Sequence, residues 1–387
     1  MHHRIILLFL FIGILSACKR DKASNAVNPS PLLYELIYNR SGNEFPAGAL
    51  VIDDSVYATA SFSDAAFAKT DIALCKFPSS GEGMISKQLG LSATNNTSGR
   101  IVYLTDKRFM ILGATGNVST NGMVLFTDRN GTFQSGYNFD NGGDESFADG
   151  IQMSDGSFLL AGTSNGAGHG LRDMFLVKMS ASGSLVWKKL LGTTGNDGAT
   201  QLLKTSDGFL LYGYSDGAGA GDRDLLLIKL NVNGDSLWSR TYGGSGYEQS
   251  GGLVATTDGN YLLCGHSTSF GDPMHDAYLV KINPNGDEIW HKTYGGGDHD
   301  GADGIVKLSN GNFAMIGYSR IAGLTDDELY YVEVLPDGTL RRELRYGYAS
   351  NERGTAIAEV SNGILLIGYT APLSNQNSEI YVVKIVK

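Results

Sequence analysis

The chain repeats itself, and the repeat decides more about its fold than any other feature. Segments in which an apolar run closes on Gly recur along its length. They are SDGSFLLAG ending at Gly162, SDGFLLYG at Gly213, TDGNYLLCG at Gly265, SNGNFAMIG at Gly317 and SNGILLIG at Gly368. TDKRFMILG at Gly113 is a degenerate copy, and IDDSVYATA at Ala60 a weaker one. Successive marks are separated by 53, 49, 51, 52, 52 and 51 residues. A second column runs in step: Asp71-IALCKF, Asn121-GMVLFT, Asp173-MFLVKM, Asp224-LLLIKL, Asp276-AYLVKI, Glu328-LYYVEV and Glu379-IYVVKI. A third follows it, with GEGMISKQL, GTFQSGYNF, GSLVWKKLL, GDSLWSRTY, GDEIWHKTY and GTLRRELRY.

A constant period of about fifty residues means one supersecondary unit copied in series. Each copy holds four short runs rich in Val, Ile, Leu, Tyr and Phe, bounded by turn signals, which reads as strands. Asp-Gly or Asn-Gly joins the first run to the second, and Asn285-Gly286, Asn233-Gly234, Ser182-Gly183 or Asp337-Gly338 joins the third to the fourth. Such pairs supply the positive φ of tight hairpins. The unit is therefore an antiparallel meander A-B-C-D, and seven meanders predict an all-β, seven-bladed β-propeller over residues 32–387. A linear stack of β-units is the competing architecture. The Gly content, 52 of 387 residues, is what so many tight turns require.

The last copy ends on its third run at Lys387, so it lacks a D strand. The unassigned segment LLYELIYN, residues 32–39, matches the D column, with Tyr34 at the Trp position and Tyr38 four residues on. The N-terminal strand is therefore expected to complete the last blade as its outer strand, leaving no open edge. The column Trp187, Trp238 and Trp290 and the column Phe139, Leu191, Tyr242, Tyr294 and Tyr346 share a strand face. Their recurrence with the fold favours packing between blades over a row for stacking sugars. Cys75 and Cys264 fall on strands of different blades and read as small buried apolar side chains.

Ahead of the repeats stands MHHRIILLFLFIGILSAC, residues 1–18. Arg4 precedes an eleven-residue apolar run from Ile5 to Leu15, too short for a membrane span and suited to a secretory leader. Leu15-Ser16-Ala17-Cys18 resembles the signal end of bacterial lipoprotein precursors. That resemblance implies removal of residues 1–17 and a lipid on Cys18, so that the membrane is reached through the lipid anchor alone. It further implies an envelope location, outer membrane in expectation. Residues 18–31 are polar after the Cys and aperiodic, a tether. The charge balance of 30 − 40 = −10, without a basic stripe, argues against nucleic acid as a partner.

In such a meander the A–B and C–D turns emerge on one side of the disc, and the longer B–C and D–A loops on the other. Long loops on a rigid scaffold are where binding concentrates. The densest polar group there is Asp298-His299-Asp300 with Asp303, and His275 of the preceding blade can approach it. Carboxylates with an imidazole suit a divalent cation, calcium for an oxygen-rich set. Yet no calcium-loop spacing is present, no bidentate Glu completes the set, and Asp beside turn Gly recurs in other copies. The expectation is therefore no resident cofactor. No H-E-x-x-H, phosphate loop or C-x-x-C occurs. The repeats G-x-x-x-W-x-x-x-Y-G-G, T-x-D-G-x-Y-L-L-x-G and D-x-x-L-V-K resemble those of secreted or surface β-propeller proteins of Bacteroidetes-type bacteria. The resemblance implies a binding or scaffold module for a protein or a glycan. The alternative is an endoglucanase-like glycoside hydrolase or a lyase using the acidic residues of the long-loop face.

Overall fold

The computed structural model describes residues 32–38, 42–63, 69–80, 83–89, 94–272, 274–348, 350–372 and 377–387. The expected leader, Cys18 and the expected tether lie outside the described residues. Twenty-eight strands form seven four-stranded antiparallel sheets, a seven-bladed β-propeller. Six sheets have consecutive strands in the order A-B-C-D, with the A strands nearest the axis.

The seventh sheet is assembled from both ends of the chain. Its first three strands, Ser350–Val360, Gly363–Pro372 and Glu379–Ile385, are completed by Leu32–Tyr38, paired antiparallel to Glu379–Ile385. Tyr34 stands opposite Lys384, as Trp187 stands opposite Lys178, Trp238 opposite Lys229 and Trp290 opposite Lys281. The N-terminal strand thus occupies the D position in register as well as in order.

The core is divided by the blade junctions. Each of seven clusters of buried side chains joins two neighbouring sheets, and the cluster of Val56, Phe77, Leu365, Ile367 and Val382 closes the ring between the seventh blade and the first. The Trp column belongs to these junctions. Gly234, Gly286 and Gly338 have φ of 75°, 83° and 79°. A Cβ on them would come within 2.4, 2.8 and 2.7 Å of Trp187, Trp238 and Trp290 of the preceding blade. These glycines are thus required twice, by the turn and by the indole lying on it. Tyr242 and Tyr294 donate to the carbonyls of the same glycines, Gly286 and Gly338, at 2.7 and 2.6 Å. Cys75 and Cys264 are buried, and neither is in a disulfide among the described residues.

The Gly that ends each repeat mark has a different cause. Strand A is bulged at one place in each blade, between Phe147 and Asp149, Ala199 and Gln201, Ser250 and Gly252, Ala302 and Gly304, and Gly354 and Ala356. The bulge brings the A-strand carbonyl onto strand B. A Cβ on Gly162, Gly213, Gly265, Gly317 or Gly368 would meet that oxygen at 1.7 to 2.1 Å. The Lys of the D-x-x-L-V-K column secures the A–B turn: Lys281 reaches Asp258 at 2.7 Å, and Lys229 pairs with Asp207. In the sixth blade the charges are exchanged, with Glu333 in the Lys position held by Arg341 and Arg342, each at 2.6 Å.

Candidate functional site

The long-loop face is built on carboxylates that are themselves out of reach. Glu44, Glu145, Asp197, Glu248 and Asp300 each open an A strand, Glu352 is the third residue of its own, and all six are at most 1% exposed. Their oxygens cap the D–A loops: Thr193, Gly244, Gly296 and Tyr348 N–H groups donate to Asp197, Glu248, Asp300 and Glu352 at 2.6, 3.0, 2.8 and 3.1 Å. Ser164 and Ser267 hydroxyls donate to Glu145 and Glu248, both at 2.7 Å. The C-strand carboxylates do the same for the B–C loops, with Asp173 accepting from His169 N–H and Asp276 from Asp272 N–H. Burial pushes Asp300 up to about 6 and Glu352 up to about 7.

The five candidate residues read from sequence separate in this frame. Asp300 is one of the buried loop caps. Asp303 sits at the A-strand bulge and pairs with Arg353 of the next blade through 2.7 and 3.1 Å contacts. Asp298 accepts from the His299 backbone N–H at 3.0 Å and lies 3.7 Å from that imidazole. The approach of His275 to His299 is present, with ring centres 5.1 Å apart. Among the described residues, no three His, Cys, Asp or Glu side chains converge as placed on one metal position.

What the repeats conceal is a difference between the two halves of the ring. The strand-B position directly after the residue that closes each repeat mark, which faces the next blade near the mouth, is Ser61, Ala114 and Thr163 in the first three blades. In the last four it is Tyr214, His266, Tyr318 and Tyr369. Around these rings lies an arc of cations. Arg223 is sandwiched between Tyr214 and Tyr247, its guanidinium carbon 4.0 and 4.8 Å from the ring centres. It is held by Asp216 at 2.5 Å and Gln249 at 2.6 Å. Arg353 lies 4.0 Å over Tyr318. Between them sit His266, His275 and His299, with the His266 and His275 ring centres 5.0 Å apart. Burial, with the neighbouring His275 and arginine charges, pushes His266 down to about 3, and burial also lowers His275.

Sequence reasoning missed this arc. Its one visible signal is the change at a single repeat column from Ser, Ala and Thr to Tyr and His. Elsewhere, an open cleft of about 420 Å³ lies at the rim between the D strands of the second and third blades, and its one carboxylate is Asp140.

No family model and no curated protein matches the chain. Solved structures do. A polysaccharide lyase described as a PL25 ulvan lyase bound to -[GlcA(1-4)Rha3S]- aligns over 89% of this chain and 94% of its own, with TM-score 0.57 and 11% identity. The Pan2 WD40 domain of Neurospora crassa aligns over 89% of both chains, with TM-score 0.53 and 10% identity. A Dyadobacter fermentans protein of unknown function aligns over 92% of this chain and 99% of its own, with TM-score 0.52 and 8% identity. At these identities the likeness is one of fold.

Proposed function

We propose that the protein is an envelope lipoprotein, anchored through Cys18, that presents the long-loop face of its propeller as a binding surface for a glycan or a protein. The observation that carries the reading is the arc Tyr214–Arg223–Tyr247, His266–His275–His299 and Tyr318–Arg353. It is confined to one side of a mouth whose scaffold otherwise repeats. Half-buried aromatic faces bordered by fixed polar groups suit a sugar better than a flat apolar partner. The anchoring half of the proposal rests on Leu15-Ser16-Ala17-Cys18.

A catalytic reading has its own support. The buried loop caps Asp197, Glu248, Asp300 and Glu352 are closed to substrate, which weighs against a hydrolase using them. Elimination from a uronic acid instead needs a base, an acid and a cation beside the carboxylate. His, Tyr and Arg side chains stand together in the arc, and one solved structure of similar fold is a polysaccharide lyase. A glycan-array screen with the purified protein, run beside an assay for unsaturated uronate products on acidic polysaccharides, separates the readings. Binding without product supports the module, product formation supports the lyase, and neither on any glycan removes the glycan from the proposal.

A further inference from the structure

The blade junctions place equivalent residues at equivalent points, and backbone hydrogen bonds identify them. Asp197 N–H donates to the Arg172 carbonyl, Glu248 N–H to that of Arg223, and Asp300 N–H to that of His275, at 2.7, 2.9 and 2.6 Å. Asp216, Thr268 and Arg320 N–H groups donate to the carbonyls of Asn196, Tyr247 and His299 at 2.8, 3.0 and 2.8 Å. With the strand-B column, each junction therefore carries one triad. Between the third and fourth blades it is Thr163, Arg172 and Asn196. Between the fourth and fifth it is Tyr214, Arg223 and Tyr247. Between the fifth and sixth it is His266, His275 and His299. Three of the chain's seven histidines meet at this one place.

The neighbouring triad shows what such a place holds. Between Tyr214 and Tyr247 lies a cation, the guanidinium of Arg223. At the next junction all three positions are imidazoles, and the Nδ1 of His275 is buried with no hydrogen-bond partner. The ring centres of His275 lie 5.0 Å from His266 and 5.1 Å from His299. Imidazoles that share a tetrahedral zinc ion at 2.0–2.1 Å have ring centres about 5 Å apart. We propose that His266, His275 and His299 form a zinc-binding site at the junction of the fifth and sixth blades, with the ion in the place that Arg223 fills one junction earlier.

The surroundings fit a three-imidazole site of this kind, which zinc accepts with a fourth position left to water or a ligand oxygen. All three backbones are fixed, His266 within its strand and the other two by the hydrogen bonds above. As placed the three side chains do not converge on one metal position, so closure on an ion requires His266 and His299 to turn toward the central His275. Tyr247 and Tyr318 wall the trio, with ring centres 6.3 and 6.0 Å from His266. The nearby Arg223 and Arg353 charges are compensated by Asp216 and Asp303. Asp298, 3.7 Å from His299 Nε2, adds negative charge on the open side. The absence of a calcium-type loop does not bear on this site, because its donors are nitrogens from two blades.

The test is calorimetric titration of zinc chloride into the full chain, purified in detergent without a histidine tag and stripped with EDTA. The expected result is one high-affinity equivalent. His275→Ala should weaken it at least tenfold, and His291→Ala should leave it unchanged. His275→Arg, which restores the residue type of the preceding junction, should abolish binding while retaining the melting temperature of the metal-free protein. Cobalt titration supplies an independent readout on the wild-type chain, where tetrahedral visible bands are expected. A wild-type protein that takes up no zinc, or binding that survives both His275 variants, overturns the proposal. So does cobalt bound without tetrahedral bands.

Discussion

Replacing Glu352 with Gln should change the pH dependence of stability in one direction only. Glu352 is the third residue of strand A of the seventh blade and is fully buried. It accepts from the Thr370 hydroxyl at 2.6 Å, from the Ser350 hydroxyl and from the Tyr348 N–H at 3.1 Å. Burial holds it at about 7, against 4.5 for the ordinary side chain, despite those three donors. The folded protein thus retains a proton that the unfolded chain has already released. The resulting stabilisation is complete below about pH 4.5 and is lost as pH rises towards 7. The gap corresponds to about 3 kcal/mol. With an unfolding entropy of about 2.1 cal/mol/K per residue, that is about 4 °C in Tm for a chain of this length. A Gln side chain fits the same cage, its carbonyl accepting from Tyr348 N–H and its amide donating to the two hydroxyls. Thermal melts of wild type and Glu352→Gln from pH 4 to pH 8 should coincide at the acid end. The variant should become the more stable by about 4 °C at pH 8. A Tm difference that is constant with pH, or that grows towards acid, would show that the buried carboxyl is not held in its protonated form.

Three further outcomes follow from the fold and the proposed anchor. Cys18→Ser should release the protein from membranes or leave its leader uncleaved; fractionation with wild-type processing and wild-type membrane association contradicts lipidation. Deleting residues 19–30 should leave Tm unchanged, whereas deleting 19–40 removes the strand Leu32–Tyr38 and should lower it, so equal melts for the two deletions refute the role of that strand in closing the ring. Gly265→Ala puts a Cβ 2.1 Å from the Gln249 carbonyl and should cost at least about 2 kcal/mol in chemical denaturation, with a cost near zero showing that the A-strand bulge yields.

The architecture was legible because its causes recur. The turn glycines and the Gly opposite each bulge answer the same contact in most blades and the Trp column in three, and a period of about fifty residues exposes them. Even the closure by residues 32–38 could be read, since Tyr34 carries the mark of the D column. The functional face was harder for the opposite reason. Asp298, His299, Asp300 and Asp303 are neighbours in sequence, yet strand alternation and the bulge send Asp300 into a buried cap and Asp303 to Arg353. His266, His275 and His299 are spread over two blades and meet only when the junction forms. A site made by departures from a repeat leaves little periodic signal, and its meaning depends on which side of each strand the departure faces.

If the arc in the last four blades is where this protein meets its ligand, as proposed, changes there must weaken binding while changes on the opposite face must not. Using the glycan identified in the array screen, affinities should be measured for wild type, Tyr247→Ala and Arg353→Gln. Lys204→Ala on the opposite, short-turn face serves as the control, and melting curves confirm that all four chains are folded. The account predicts at least a tenfold loss of affinity for both arc variants and none for Lys204→Ala. Full affinity in folded Tyr247→Ala and Arg353→Gln, or a loss confined to Lys204→Ala, would contradict it.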